Sequence, residues 1–124
     1  MSPESNSAVR VRTGMIEEMG VEQILLSEIV RRILTVAEPD SIILFGSAAS
    51  GQMTPDSDID LLVVEPAPRN TRAESVKIRE ALGNIGYPVD VIVMATERFE
   101  ETKGIIGGIA WPAHKYGRVL YEAA

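Results

Sequence analysis

Two aspartates, Asp58 and Asp60, are separated by a single residue, and a Gly-Ser pair, Gly46-Ser47, stands ten residues before them. In an extended strand, residues i and i+2 point to the same face, so the two carboxylates project together with their Cα atoms about 7 Å apart. At that spacing two unit charges repel by roughly 2 kcal/mol at an effective dielectric near 20, and by well under 1 kcal/mol in water. A partly buried pair therefore calls for a divalent cation, and oxygen-only ligands suit Mg²⁺ or Mn²⁺. The turn supplies the complementary half. A strand that ends in Gly46-Ser47 presents backbone N–H groups and a hydroxyl, and Gly46 has no side chain to hold a phosphate away. If Ser47 opens a helix, the helix N-terminus adds partial positive charge. Ser57, directly before Asp58, is a further candidate for nucleotide binding.

Asp90 is the only charge in the apolar run Val89-Asp90-Val91-Ile92-Val93-Met94. Taken alone, such a residue after Pro88 is more often a strand-edge residue than a ligand. If its strand lies beside Asp58–Val64, a third carboxylate joins the face, where it can hold a metal or act as base toward an attacking hydroxyl. Phosphate at the turn and metal at Asp58, Asp60 and Asp90 are the parts of a phosphoryl-transfer site.

Two other motifs fail on the letters. Gly46 and Gly51 have P-loop spacing, but Gln52 and Met53 stand where the Lys and Ser/Thr are needed. Asp56, Asp58 and Asp60 resemble the start of an EF-hand, but Leu61 replaces the turn glycine and Ala67 the bidentate Glu.

The elements that must position these residues follow from periodicity and punctuation. Residues 1–13 are polar and read as a mobile arm, leaving 14–124 as the folded domain. Val21, Ile24, Leu25, Ile29, Ile33, Leu34 and Val36 mark one face of a helix that Pro39 stops by Glu38. Ser41–Phe45 reads as a buried strand, Gly46 to Ser57 as a turn with one short helix at most, and Asp58–Val64 as a strand ended by Pro66 and Pro68. Asn70 or Thr71 caps a helix running to about Leu82, with Gly83 or Asn84 beyond it, and Val89–Met94 is the third strand. Thr96 caps a short helical segment containing Phe99, Pro112 starts another that Gly117 ends, and Arg118–Tyr121 forms a last edge strand. Strands alternating with helices predict an α/β (α+β) fold, a small mixed β-sheet flanked by helices.

Bulk composition agrees with one domain of this class. The chain has 124 residues, 45% hydrophobic and 24% charged, enough to bury a core without staples. The net charge of −6 disfavours a protein that coats nucleic acid. No apolar run has the length of a membrane span, and Met1 to Ser7 carry no signal-peptide core. The absence of cysteine excludes disulfides and thiolate metal sites and fits a cytoplasmic setting. His114 has no partner pattern and reads as surface polar; Trp111, Tyr116 and Tyr121 read as core or partner contacts.

Gly46-Ser47 followed by Asp58-x-Asp60 resembles the signature of the polymerase-β-like nucleotidyltransferase superfamily. Ile42-Ile43-Leu44-Phe45-Gly46-Ser47, Ser57-Asp58-Ile59-Asp60-Leu61-Leu62-Val63 and Val89-Asp90-Val91-Ile92-Val93 are most similar to its minimal nucleotidyltransferase group, and so is the closing Gly117-Arg118-Val119-Leu120-Tyr121-Glu122. The resemblance spans roughly Val21 to Glu122. It implies the nucleotidyltransferase fold and metal-dependent transfer of a nucleoside monophosphate from ATP or another NTP to a hydroxyl. By that resemblance Asp58 and Asp60 ligate both metals, Asp90 serves the metal that activates the acceptor, and Gly46 and Ser47 hold the triphosphate. It further implies a HEPN-domain protein as partner, with this chain as the antitoxin and a tyrosine of the partner as acceptor. Relatives carry arginines in the turn where this chain has Ala48, Ala49 and Ser50. That departure sustains an alternative: a catalytically weak or inactive module that neutralises its partner by sequestration. A chain this small leaves little wall around a nucleotide, so a second subunit, a partner or another copy, is expected to complete the site.

Overall fold

The computed structural model describes residues 13–50 and 58–124, with backbone only for 13–21, Ser47 and Ser50. A 22-residue helix, α1 (Thr13–Leu34), leads into strand β1 (Ser41–Phe45). A four-residue 3₁₀ turn (Ser47–Ser50) follows, then β2 (Ile59–Glu65), helix α2 (Thr71–Leu82) and strand β3 (Val89–Ala95). Two seven-residue helices, α3 (Thr96–Thr102) and α4 (Ala110–Tyr116), precede the final strand β4 (Arg118–Glu122).

The strands form one mixed sheet in the order β3-β2-β1-β4. β1 pairs antiparallel with both β2 and β4, and β2 pairs parallel with β3. Only that last pairing needs a crossover helix, and α2 supplies it. The α/β expectation therefore holds, with a sheet flanked by helices.

Alternation along the strands sorts the core into two layers. Ile42, Leu44, Ile59, Leu61, Val63, Val91 and Val93 face Leu26, Ile29 and Ile33 of α1 and Ile78 and Leu82 of α2. Ile43, Leu62 and Val64 face the other way, against Phe99 of α3 and Ala110 and Ala113 of α4. Both faces of the central strands are thus covered, which is why β1 and β2 read as continuous apolar runs. Ile42, Leu44, Ile59, Leu61 and Leu62 are fully buried, and each such side chain contributes about 1.5–3 kcal/mol.

Local chemistry sets the boundaries. Asn70 caps α2 by accepting from the Ala73 amide at 2.9 Å, and the Gly83 amide closes the other end on the Arg79 carbonyl at 3.1 Å. Arg32 of α1 also donates to the Leu82 carbonyl, tying the two helices. Gly117 is needed for close approach, since a Cβ there would lie 2.3 Å from the Ala113 carbonyl oxygen and 2.9 Å from that of Leu44.

Strand β2 runs Ile59–Glu65 rather than Asp58–Val64, β3 and β4 each extend one residue further than the sequence reading, and three helix starts differ from it. The first helix begins at Thr13 rather than near Val21, so Thr13 belongs to α1 and not to the arm; residues 1–12 lie outside the described residues. The apolar stripe simply starts later than the backbone helix does. Thr96 does not cap α3: its hydroxyl donates to Asp40 Oδ2 at 2.5 Å, and the cap position is Ala95, without a side-chain bond. Pro112 falls in the first turn of α4, which starts two residues earlier at Ala110. Among the described residues no helix is long and apolar enough to cross a membrane.

Candidate functional site

Asp60 is the second residue of β2, and in the parallel ladder it stands opposite Asp90, the second residue of β3. Neighbouring strands lie about 4.8 Å apart, so the two carboxylates leave the same face side by side. The register is fixed just upstream, where the Ile59 amide donates to the Pro88 carbonyl at 2.9 Å. Ile59, between Asp58 and Asp60, is fully buried and anchors the strand entry from the opposite face. Asp58 lies one residue before the strand and is exposed.

Asp60 and Asp90 share their face with Leu62, Val64, Ile92 and Met94. The helices α3 and α4 cover that face further along, over Leu62 and Val64, while Asp90 remains exposed. The acidic end of the sheet is therefore open to a ligand.

The Gly-Ser turn closes over this end. β1 is antiparallel to β2, and Phe45 stands opposite Asp60 on the side away from Asp90. Gly46 follows with φ +74, a left-handed conformation that favours glycine. A Cβ on Gly46 would lie 2.4 Å from Asp60 Oδ2. The absent side chain thus makes room first for the Asp60 carboxylate itself, a reason for glycine that the letters alone do not give. After Gly46 the chain enters a single 3₁₀ turn, with the Ala49 amide donating to the Gly46 carbonyl at 3.1 Å. Ser47 therefore opens no α-helix, and a four-residue turn carries little macrodipole. Any anion held here relies on individual amides. Ser57 lies outside the described residues.

Electrostatics at this end are unbalanced. Partial burial pushes the Asp60 carboxyl above its usual range, and the negative charges of Asp90 and Asp58, with a hydrogen bond shared with Asp90, push it the same way. Among the described residues, no Arg, Lys or His lies within ion-pair distance of any of the three aspartates. Lys77 and Lys103, basic residues able to serve a phosphate, are engaged elsewhere: Lys77 with Glu74 at 3.2 Å, Lys103 with Glu100 at 2.6 Å.

Carboxylates without a cationic neighbour fit a divalent metal. The described residues contain no ready-made cage of three acidic or His side chains. Asp60 and Asp90 face each other, and Asp58 stands at the exposed strand entry, so enclosing a cation requires side-chain rotation.

Two positioning residues escaped the sequence reading. Phe45, half-buried opposite Asp60, and Pro88, whose carbonyl holds the Ile59 amide, fix the acidic face from either side. Their signal was present, an aromatic before Gly46 and a proline before a strand, but their pairing arises only from sheet register.

Comparison with known proteins shows the family and the fold. Residues 25–109 match the model of the nucleotidyltransferase domain family, a span that contains Gly46, Ser47, Asp58, Asp60 and Asp90. A crystal structure of a protein from Sulfolobus solfataricus, named as a proposed nucleotidyltransferase, superposes with a TM-score of 0.54. The alignment covers 80% of this chain and 78% of that one at 20% identity, which establishes a shared fold. No curated protein matches the chain. With more than half of its length matching the family model, the chain belongs to the nucleotidyltransferase domain family.

Proposed function

We propose that this chain transfers a nucleoside monophosphate, AMP from ATP, to a hydroxyl acceptor, and that the acceptor is a tyrosine of a HEPN-family toxin which the modification neutralises. The observation that carries the reading is the stacking of Gly46 on Asp60, with Asp90 in register beside it. The glycine bend and the paired carboxylates then act on one substrate from adjacent sides.

In this reading Asp58, Asp60 and Asp90 would hold Mg²⁺ or Mn²⁺, which would neutralise charge on the triphosphate and acidify the attacking hydroxyl. Gly46 and Ser47, with Ser57, receive the phosphates through amides and hydroxyls. The acceptor oxygen forms a bond to the α-phosphorus as the bond to pyrophosphate breaks, and the hydroxyl proton passes to Asp90, the more exposed of the strand-borne carboxylates.

The test supplies ATP labelled at the α-phosphorus, Mg²⁺ and the HEPN partner, and compares the wild type with the Asp58→Ala/Asp60→Ala double variant. Label should enter the partner only with the wild type. Equal labelling by both proteins sinks the assignment.

One observation favours a second reading, sequestration without catalysis. Ala48, in the turn where relatives carry arginine, is fully buried in the core, so this turn brings no cation toward a phosphate from that position. Under this reading the double variant neutralises the partner as well as the wild type does.

A further inference from the structure

The far end of β2 carries a second buried acid. Glu65 is 6% exposed, and its Oε2 has no hydrogen-bond partner among the described residues. It lies five residues beyond Asp60, about 17 Å along the strand, and on the opposite face of the sheet. It lines a groove of about 550 Å³, bounded by the α1–β1 connection, the β2–α2 connection and the start of α2. That volume lies within the range of about 300–1,000 Å³ typical of small-ligand sites.

The groove is polar where Glu65 meets it. Glu74, in the first turn of α2, lines the same groove, and its charge acts on Glu65. Lys77, one turn further, pairs with Glu74 at 3.2 Å. Glu38 and Arg69 complete the charged lining. Since Lys77 is committed to Glu74, the inner wall retains one carboxyl in excess. A buried acceptor left unsatisfied is costly, so this wall favours a donor.

We propose that this groove is a second binding site, taking a ligand that presents an ammonium or guanidinium group to Glu65 and Glu74. Burial holds the Glu65 carboxyl above its usual range, the charge of Glu74 adds to this, and Lys77 opposes it. A cation here favours the ionised form of Glu65: a proton held on that carboxyl leaves to solvent as the carboxylate accepts the ligand's N–H. Affinity accordingly rises with pH while Glu38, Glu74, Arg69 and Lys77 keep their charges.

The test is calorimetric titration of the full chain in two buffers of different ionisation enthalpy. Agmatine probes a free small molecule, and the peptide acetyl-Gly-Arg-Gly-amide probes a protein side chain. Saturable heat from either probe, with release of up to one proton, is the expected result, and the tighter of the two identifies the source. Glu65→Gln should weaken binding by about tenfold or more, the usual loss when a charged hydrogen-bond acceptor is neutralised. Glu74→Gln, at the groove wall, serves as the second variant if Glu65→Gln melts abnormally. No saturable heat from either probe, meaning that the groove holds only water, overturns the proposal, as does equal affinity in both variants. Binding by the Asp58→Ala/Asp60→Ala protein should match the wild type, which separates this site from the nucleotide reading.

Discussion

The two ends of β2 treat a half-hidden carboxyl in opposite ways. At the entry, Asp60 is surrounded by acids, Asp90 across the ladder and Asp58 beside it, with no described cation in reach. At the exit, Glu65 is more deeply buried, but its acidic neighbour Glu74 is already paired with Lys77. Burial raises both acids, yet only the second has a built-in counter-charge nearby. A protein that needed only a stable strand would place neither group there. The uncompensated entry is the end that the glycine bend covers and that α3 and α4 leave open. A perturbed acid with no described counter-charge marks the entry as the functional-site candidate of the two ends.

The largest effect that sharpens this contrast is expected from Asp60→Asn. It should reduce nucleotidyl transfer on the order of 10³-fold or more, as loss of a residue acting within a catalytic unit does. The same change should raise the melting temperature of the metal-free protein at neutral pH by a few degrees. The folded state holds a proton on Asp60 more tightly than the unfolded chain does, so it binds more protons between the two pKa values, and stability falls as pH rises through that interval. Asn carries no such proton, so the variant's melting temperature should decline less from pH 4 to 7. Glu65→Gln should flatten the same profile for the same reason while leaving transfer intact. Mg²⁺ should raise the wild-type melting temperature and leave Asp60→Asn unmoved. A stabilising effect of Mg²⁺ on Asp60→Asn equal to that on the wild type would break the comparison.

Gly46→Ala comes next. The added Cβ meets Asp60 Oδ2 at 2.4 Å and holds an L-residue at φ +74, so a stability loss of about 1–3 kcal/mol by denaturant melt is expected. Combining it with Asp60→Ala should recover part of that loss, because the double variant removes the collision. Strict additivity would mean that the two residues do not press on each other. Gly117→Ala should cost a similar amount, about 1–3 kcal/mol, through its collision with the Ala113 and Leu44 carbonyls. That loss should be independent of Asp60.

The smallest effect belongs to the surface of α1. Glu28 accepts from both Arg31 and Arg32, at 2.6 and 2.7 Å, and those arginines hold its carboxyl down to about 2. Its folded-state value is lowered, so its contribution is present above the unfolded value near 4.5 and disappears as pH falls through about 2. Glu28→Gln should lower the melting temperature slightly at pH 7, and the difference should vanish near pH 2. A larger change at pH 7 than that of Gly46→Ala would reverse the proposed ranking of the two regions.

Much of this architecture could be read from the letters because it depends on local rules. The apolar runs at Ser41–Phe45 and Val89–Met94, Asn70 before a helix and Gly83 after it each report preferences of a few neighbouring residues. The spacing of Gly46-Ser47 and Asp58-x-Asp60 likewise lies along the chain. Helix starts were less legible: α1 begins eight residues before its apolar stripe, and Thr96 spends its hydroxyl on Asp40, 56 residues away, instead of capping α3.

The sequence by itself determined which residues carry charge, which strands are apolar throughout, and that two aspartates emerge at neighbouring positions of one strand entry. Only the tertiary structure decided that Asp90 stands opposite Asp60 and that Gly46 lies against that carboxylate. Side-chain direction within a strand follows from covalent geometry, whereas proximity between strands follows from register, which is set by the packing of the whole sheet.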